Sequence, residues 1–524
     1  MRHDYALLIL LLIPLVGAAT VWAAGKRMPS TNVKLLALFW SLVPVVYAVV
    51  LMFRFDTGYT DNPDKRFQFD TSWVWIKDFG VHIAFGVDGI ALVLVAMAVV
   101  LVPAVILASW TAFDSKSGAE EAGAKPRSMA NYLALILLLE FFIIGVFVST
   151  DVFLFYVFFE GMLVPMYFII GSFGGPRRQY AAMKFFLYSL VGGLLMLAAV
   201  IGLYVSAGTS SFSMTELMKH PLPDNGTQKW LFLGFFIAFA IKAPLIPFHT
   251  WLPDAGAEAP AGGAALLVGV LDKVGTFGFL RYCLILFPDA SRYFAPAVLV
   301  LSVIGILYAA FLAIGQRDMK RLVAYTSVAH FGFIGLGVFA FTTQSGTGAV
   351  LYMVNHGFST GALFIVVGLL IARGKSRNVD DYGGVAKVTP ILAGLFLLTG
   401  LSALALPGMS TFISEFLVLV GTFTRYKGYA IIATTGIILA AIYVLYLYQR
   451  TFQGRVSERV TKFRDLNPRE IFAVAPLLAI IVFLGVYPKP VLDIINPSVK
   501  ATMQHDVGKT DPTPQYQNAD GGRK

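Results

Sequence analysis

The chain has 524 residues, of which 57% are hydrophobic and only 13% charged, with a net charge of +10. Soluble domains carry about 25% charged residues, so folding in water would expose too much apolar surface, and a polytopic membrane protein is the class that fits. That excludes soluble enzymes, secreted disulfide scaffolds, disordered chains and nucleic-acid binders, and one cysteine, Cys283, cannot build an internal disulfide or an iron–sulfur or zinc site.

Apolar runs occupy 5–24, 34–53, 88–110, 131–149, 152–171, 181–206, 230–249, 257–280, 294–316, 322–341, 348–372, 390–422, 428–449 and 471–488. At about 20 residues per crossing these read as roughly fourteen transmembrane helices of an all-α fold. The first run is too long for the apolar stretch of a cleaved leader and reads as a retained helix. Between the second and third runs, Phe67 to Val87 alternates apolar and polar residues about Lys77, Asp78 and Gly80, the pattern of a β-hairpin on the outer surface. From about Asn496 the chain is rich in Asp, Gln, Pro and Gly and reads as a disordered tail.

Orientation follows from the basic residues. Loops after odd-numbered spans hold most of them, including Lys116, Lys125, Arg127, Arg317, Lys320, Arg321 and six between Arg450 and Arg469. The excess marks those loops as cytoplasmic and puts both termini outside.

Charges within the apolar runs carry the functional information. Glu140, Glu160, Lys242, Lys273 and Glu415 all fall inside spans, and each central charge costs roughly 2.5–3.5 kcal/mol on insertion scales. Bundles retain such groups as static ion pairs or as ion and proton relays. His330 and His356 sit inside spans ten and eleven, and His249 ends the seventh. A neutral imidazole can accept a proton on one nitrogen and release one from the other. The competing reading for each is a fixed hydrogen bond between helices. Tyr325, Thr326 and Ser327 lie near His330, and Asn355 and Tyr352 near His356, neighbourhoods polar enough to hold water. Lys184 reads as a snorkelling structural lysine, and Asp272 as a counter-ion beside Lys273.

Two spans are interrupted. Lys242 is followed by Pro244 and Pro247, and the long run 390–422 contains Pro407 and Gly408 ahead of Glu415. Proline frees a carbonyl, tolerated at membrane depth where a cavity or polar neighbour satisfies it. Interruptions five spans apart suggest inverted repeats. The resulting organisation is 1–130 (three helices and the hairpin), 131–282 and 283–450 (two five-helix inverted repeats), 451–495 (a last helix) and 496–524 (the tail). The glycine pattern from Gly332 to Gly337 lies within an apolar span and is no dinucleotide fingerprint.

Three stretches resemble a known family. Phe158-Phe-Glu160-Gly-Met-Leu-Val-Pro165, Lys242-Ala-Pro-Leu-Ile-Pro-Phe-His249-Thr-Trp-Leu-Pro-Asp254-Ala, and Lys273-Val-Gly-Thr-Phe-Gly-Phe-Leu-Arg281 are similar to the antiporter-like subunits of proton-pumping NADH:quinone oxidoreductase, respiratory complex I. The resemblance is dense over 130–460 and extends to the rest by span count. It implies that Glu160 and Lys242 are paired charges of a first half-channel, Lys273 a connecting lysine, His330 and His356 a central polar axis, and Glu415 the exit-side group. In two of the family's three antiporter-like chains the exit-side group is a lysine and in the third a glutamate, so Glu415 aligns this chain with the third. The family commonly has a histidine where this chain has Gly256. The resemblance further implies a bacterial plasma-membrane location, sister antiporter-like chains as partners, and no cofactor in this chain, the complex using FMN, iron–sulfur clusters, NADH and quinone. A subunit of a multi-subunit cation/proton antiporter shares the fold and most motifs and is the alternative reading; Glu415 favours the first.

Overall fold

A computed structural model of the chain describes residues 4–58, 66–113, 128–222 and 225–512. In a bilayer the backbone finds no water, so each apolar run closes its hydrogen bonds internally as a helix. The chain runs through α1 (Ala6–Ala24), α2 (Ser30–Arg54), α3 (Gly89–Ala108), α4 (Met129–Val148), α5 (Val152–Phe173) and α6 (Arg178–Ser206). The shorter pair α7 (Asn225–Lys242) and α8 (Trp251–Glu258) follows. Next come α9 (Ala261–Leu286), α10 (Pro288–Ile314), α11 (Met319–Phe339) and α12 (Thr343–Gly374). A second short pair, α13 (Pro390–Ala403) and α14 (Ser410–Arg425), precedes α15 (Lys427–Phe452) and α16 (Pro468–Val486). Apart from the two short pairs, these are the twelve helices among the described residues that are long and apolar enough to cross a membrane. The expectation of an all-α polytopic bundle holds, and the two short pairs are the two interrupted spans.

Burial sorts the helices into an interior and a shell. The whole apolar window of α9 is buried, as is 94% of that of α11 and 89% of that of α12, against 28% for α2 and 33% for α15. Helices of the shell turn side chains such as Phe53, Trp230, Phe311 and Ile438 outward, as a lipid-facing surface requires. Inside, small residues bring backbones together. A Cβ on Gly332 of α11 would lie 2.6 Å from the Ser302 carbonyl oxygen of α10. The glycine pattern of that span is therefore packing.

The alternating segment forms two antiparallel strands, β1 (Gln68–Ile76) and β2 (Val81–Val87), with Trp73 opposite Ile83 and Val74 opposite His82. Its turn ends at Gly80, whose φ of +62° suits glycine and whose missing side chain makes room for the Ser210 carbonyl. The hairpin also organises α5: Asp151 accepts from the backbone N–H of His82, at 2.9 Å, and caps the helix through the N–H groups of Phe153 and Leu154.

Beyond α16 the structure corrects one expectation. Disorder does not begin at Asn496. Helix α17 (Lys489–Lys500) crosses that position and continues as a π-helical turn to Asp506, burying Ile494, Ile495, Val499 and Met503. Arg66, just before the hairpin, holds this end through Asp506 at 2.6 Å and Thr502 at 2.7 Å. Composition averaged over the tail hid an apolar stripe at helical spacing. Residues 513–524, and the loop cations Lys116, Lys125 and Arg127, lie outside the described residues.

Candidate functional site

Glu160 lies in α5 beside the local irregularity at Met162, where the helix divides into Val152–Gly161 and Leu163–Phe173. Its carboxylate projects toward α6 at Gly193, where a Cβ would fall 1.6 Å from Oε1. Glycine at that position is what leaves room for the charge. Lys242 is the last residue of α7, at the helix end whose dipole favours a cation. It is 1% exposed, and its Nζ has no hydrogen-bond partner and lies 5.2 Å and 5.1 Å from the ring centres of Phe159 and Phe185. Glu160 and Lys242 are within electrostatic reach of each other, yet Oε1 and Nζ both lack hydrogen-bond partners. The interruption after Lys242 is held by Trp251, whose indole N–H donates to the Ile241 carbonyl at 2.8 Å.

Lys273 follows a π-helical turn, Leu267–Leu271, which disturbs the usual pairing of backbone groups. Its ammonium donates to the Val268 carbonyl at 2.6 Å and pairs with Nδ1 of His356 on α12, also at 2.6 Å. The His356 ring lies 5.1 Å from that of His330 on α11, which lies 5.8 Å from the Tyr352 ring. The Tyr352 hydroxyl donates to Oε2 of Glu415 at 2.8 Å. From Lys273 to Glu415 every member of this file is at most 5% exposed.

The second interruption positions the far end. Residues 404–409 leave helical geometry, with Ala405 at φ +59° and Gly408 at φ +94°, and α14 restarts at Ser410 with Glu415 on its second turn. Asn355, beside His356, donates to the Ser410 carbonyl at 2.7 Å and so anchors the restart of α14 to α12. Thr411 donates to the Ser402 carbonyl, closing the gap from the other side.

The remaining marked residues lie apart from this file. Glu140 is buried in α4 with both carboxylate oxygens unpartnered. Lys184 pairs with Asp254 at 2.7 Å, and Asp254 with Arg321 at 3.0 Å, a network tying α6, α8 and α11. His249 packs edge-on to Tyr308 in the gap between α7 and α8. At Gly256 a Cβ would meet Ala324 at 3.2 Å, leaving little space for a larger side chain. Tyr352 is the member that sequence reasoning placed only as a polar neighbour; its position four residues before His356, on the same helix face, was the available signal. Among the described residues no three His, Cys, Asp or Glu side chains converge as a metal-binding group.

Lys273, His356, His330, Tyr352 and Glu415 form a buried file in lipid-spanning helices, hydrogen-bonded at its two ends and in ring contact at its centre, an arrangement from which a proton wire can be built. The family described as NADH:quinone oxidoreductase/Mrp antiporter, transmembrane, matches residues 149–442. NADH-quinone oxidoreductase subunit M of Mycobacterium tuberculosis (strain H37Rv) is 47% identical, over 97% of this chain and 95% of the relative. A chain of respiratory complex I from Thermus thermophilus superposes with a TM-score of 0.85 at 30% identity, covering 95% of this chain and 99% of that one. A chain of the Mrp complex from Dietzia sp. DQ12-45-1b superposes with a TM-score of 0.83 at 18% identity, over 97% and 99%, a likeness of fold alone.

Proposed function

The chain belongs to the family of antiporter-like membrane subunits of NADH:quinone oxidoreductase, and from that premise we propose that its protons travel by Glu160, Lys242, Lys273, His356 and His330 to Glu415. It is a proton-translocating, multi-pass membrane subunit of that complex. Electron transfer from NADH to quinone, through FMN and iron–sulfur clusters held by other subunits, supplies the free energy. Its neighbours are the two sister antiporter-like chains, its membrane the bacterial plasma membrane, and its termini lie outside. The two interrupted elements, α7 with α8 and α13 with α14, support two inverted repeats over 131–282 and 283–450, each contributing one half of the route.

The observation that carries the reading is the buried file from Lys273 to Glu415, hydrogen-bonded at both ends, with the His356 and His330 rings 5.1 Å apart at its centre. At its other end, an ionised carboxylate within about 4–6 Å favours a charged lysine. When Glu160 is near, Lys242 holds its proton; when Glu160 withdraws or is neutralised, Lys242 releases it inward. The lack of a direct hydrogen bond between them leaves that separation free to change. Lys273 and the histidines pass the proton on, and Tyr352 delivers it to Glu415 for exit. A cation/proton antiporter subunit would share the fold, but Glu415 and the 47% identity to a complex I subunit favour the present reading.

The test is Lys242→Ala in the assembled complex in vesicles. It should leave assembly intact while coupled quinone reduction and proton pumping fall together, since an uncompensated Glu160 remains in low dielectric. Full pumping by the assembled variant would sink the assignment.

A further inference from the structure

One buried acid has no part in the route just described. Asp272 is 0% exposed, sits between the π-helical turn Leu267–Leu271 and the helical turn Lys273–Gly278, and has both carboxylate oxygens without a hydrogen-bond partner. Three residues on, Gly275 presses against the broken end of α7: a Cβ there would lie 2.4 Å from the Phe239 carbonyl oxygen and 2.5 Å from the Ala243 nitrogen. Residues three apart share a helix face, so Asp272 lies on the face of α9 that meets the end of α7, where Lys242 precedes Ala243. Its carboxylate is within electrostatic reach of Lys273 and Lys242 alike.

Lys273 has the matching vacancy. As a neutral amine it keeps two N–H donors, matched by the Val268 carbonyl and His356, and a lone pair left open to accept a proton. Lys242 has no hydrogen-bond partner. An unpartnered acid within electrostatic reach of two lysines, one without a hydrogen-bond partner and one able to accept a proton, has the arrangement of an intermediate carrier rather than a closed ion pair.

We propose that Asp272 is a further proton-carrying residue, receiving the proton released by Lys242 and handing it to Lys273. In the first transfer an N–H bond of Lys242 breaks and an O–H bond forms on Asp272, leaving a neutral amine and a neutral acid. In the second that O–H bond breaks and an N–H bond forms on a neutral Lys273, restoring the carboxylate. The idea rests on the reading of both lysines as proton carriers, and goes beyond it by joining them.

The experiment uses the whole complex in vesicles, with assembly checked, and compares wild type with Asp272→Asn, Asp272→Glu and Lys242→Ala. Asp272→Asn should slow coupled turnover by about 10²-fold, the lower end of what a positioned acid–base group contributes, and Asp272→Glu should recover most of it. Redox-induced infrared difference spectra should show a transient protonated-carboxyl band in wild type that is lost in Asp272→Asn and displaced in Asp272→Glu. A static counter-ion would also slow the Asn variant but would show no such band, and that result overturns the proposal. Wild-type pumping by Asp272→Asn overturns it too, while leaving the lysine route standing if Lys242→Ala is inactive. Wild-type pumping by Lys242→Ala instead removes the route itself. If Asp272→Asn does not assemble, the band decides alone, and its failure to move in Asp272→Glu overturns the proposal.

Discussion

Gly193 has no side chain where Glu160 needs room, and a methyl group there would fall 1.6 Å from the carboxylate oxygen. Gly193→Ala therefore swings the carboxylate away without removing its charge. We expect normal assembly, with a fall in protons pumped per quinone reduced intermediate between wild type and Glu160→Gln; an unchanged ratio would show that the position of the carboxylate is immaterial. At the other end, Glu415 accepts from Tyr352 and is the terminal titratable member of the file. Glu415→Gln keeps that acceptor but removes titration, so pumping through this chain should stop. Glu415→Asp, one methylene shorter, should retain part of it, and Glu415→Lys should be tolerated better than Gln. Pumping at the wild-type level by the Gln variant would mean that the carboxylate is only a hydrogen-bonding group. The charges themselves were legible in the sequence because an ionisable residue in an apolar run stands out against its insertion cost. Gly193 was not, and Tyr352 was legible only as a polar neighbour of His356, since each acts through a residue on another helix.

At the scale of the element, the interruptions decide where the charges sit. The break after Lys242 frees backbone carbonyls at membrane depth, and the Trp251 indole satisfies that of Ile241. Trp251→Phe keeps most of the buried ring and removes the donor, leaving a buried carbonyl unpaired at a cost of about 1–3 kcal/mol. Loosening of the α7–α8 break should appear as faster hydrogen exchange over residues 242–252 and weaker coupled pumping; protection equal to wild type would show that the break is held otherwise. Prolines made both interruptions legible from the sequence. The π-helical turn before Lys273 was not, because Leu267–Leu271 contains no proline and its one glycine, Gly269, is common enough in membrane helices to give no signal. The packed neighbours of α9 on every side are what accommodate it. The hairpin was legible from alternation, whereas its capping of α5 through Asp151 required the contact itself.

Across the whole molecule, the C-terminal helix is fastened at the hairpin end of the bundle by Arg66, with Asp506 and Thr502 as partners. The Arg66–Asp506 pair is largely buried, and breaking a buried pair by removing one partner typically costs 3–5 kcal/mol. Arg66→Ala should release the end of the chain, making residues 500–512 accessible to protease in the intact complex while the route from Lys242 to Glu415 keeps its activity. Resistance equal to wild type would mean that burial of Ile495, Val499 and Met503 holds this end unaided. Composition determined the membrane class and the run lengths located the apolar helices, because both follow from the local free energy of placing side chains in lipid, while the motif residues determined the family. Only the tertiary structure decided that Lys273 meets His356 and that Tyr352 reaches Glu415. Those contacts join helices far apart in the chain, and their distances follow from how the helices pack against one another.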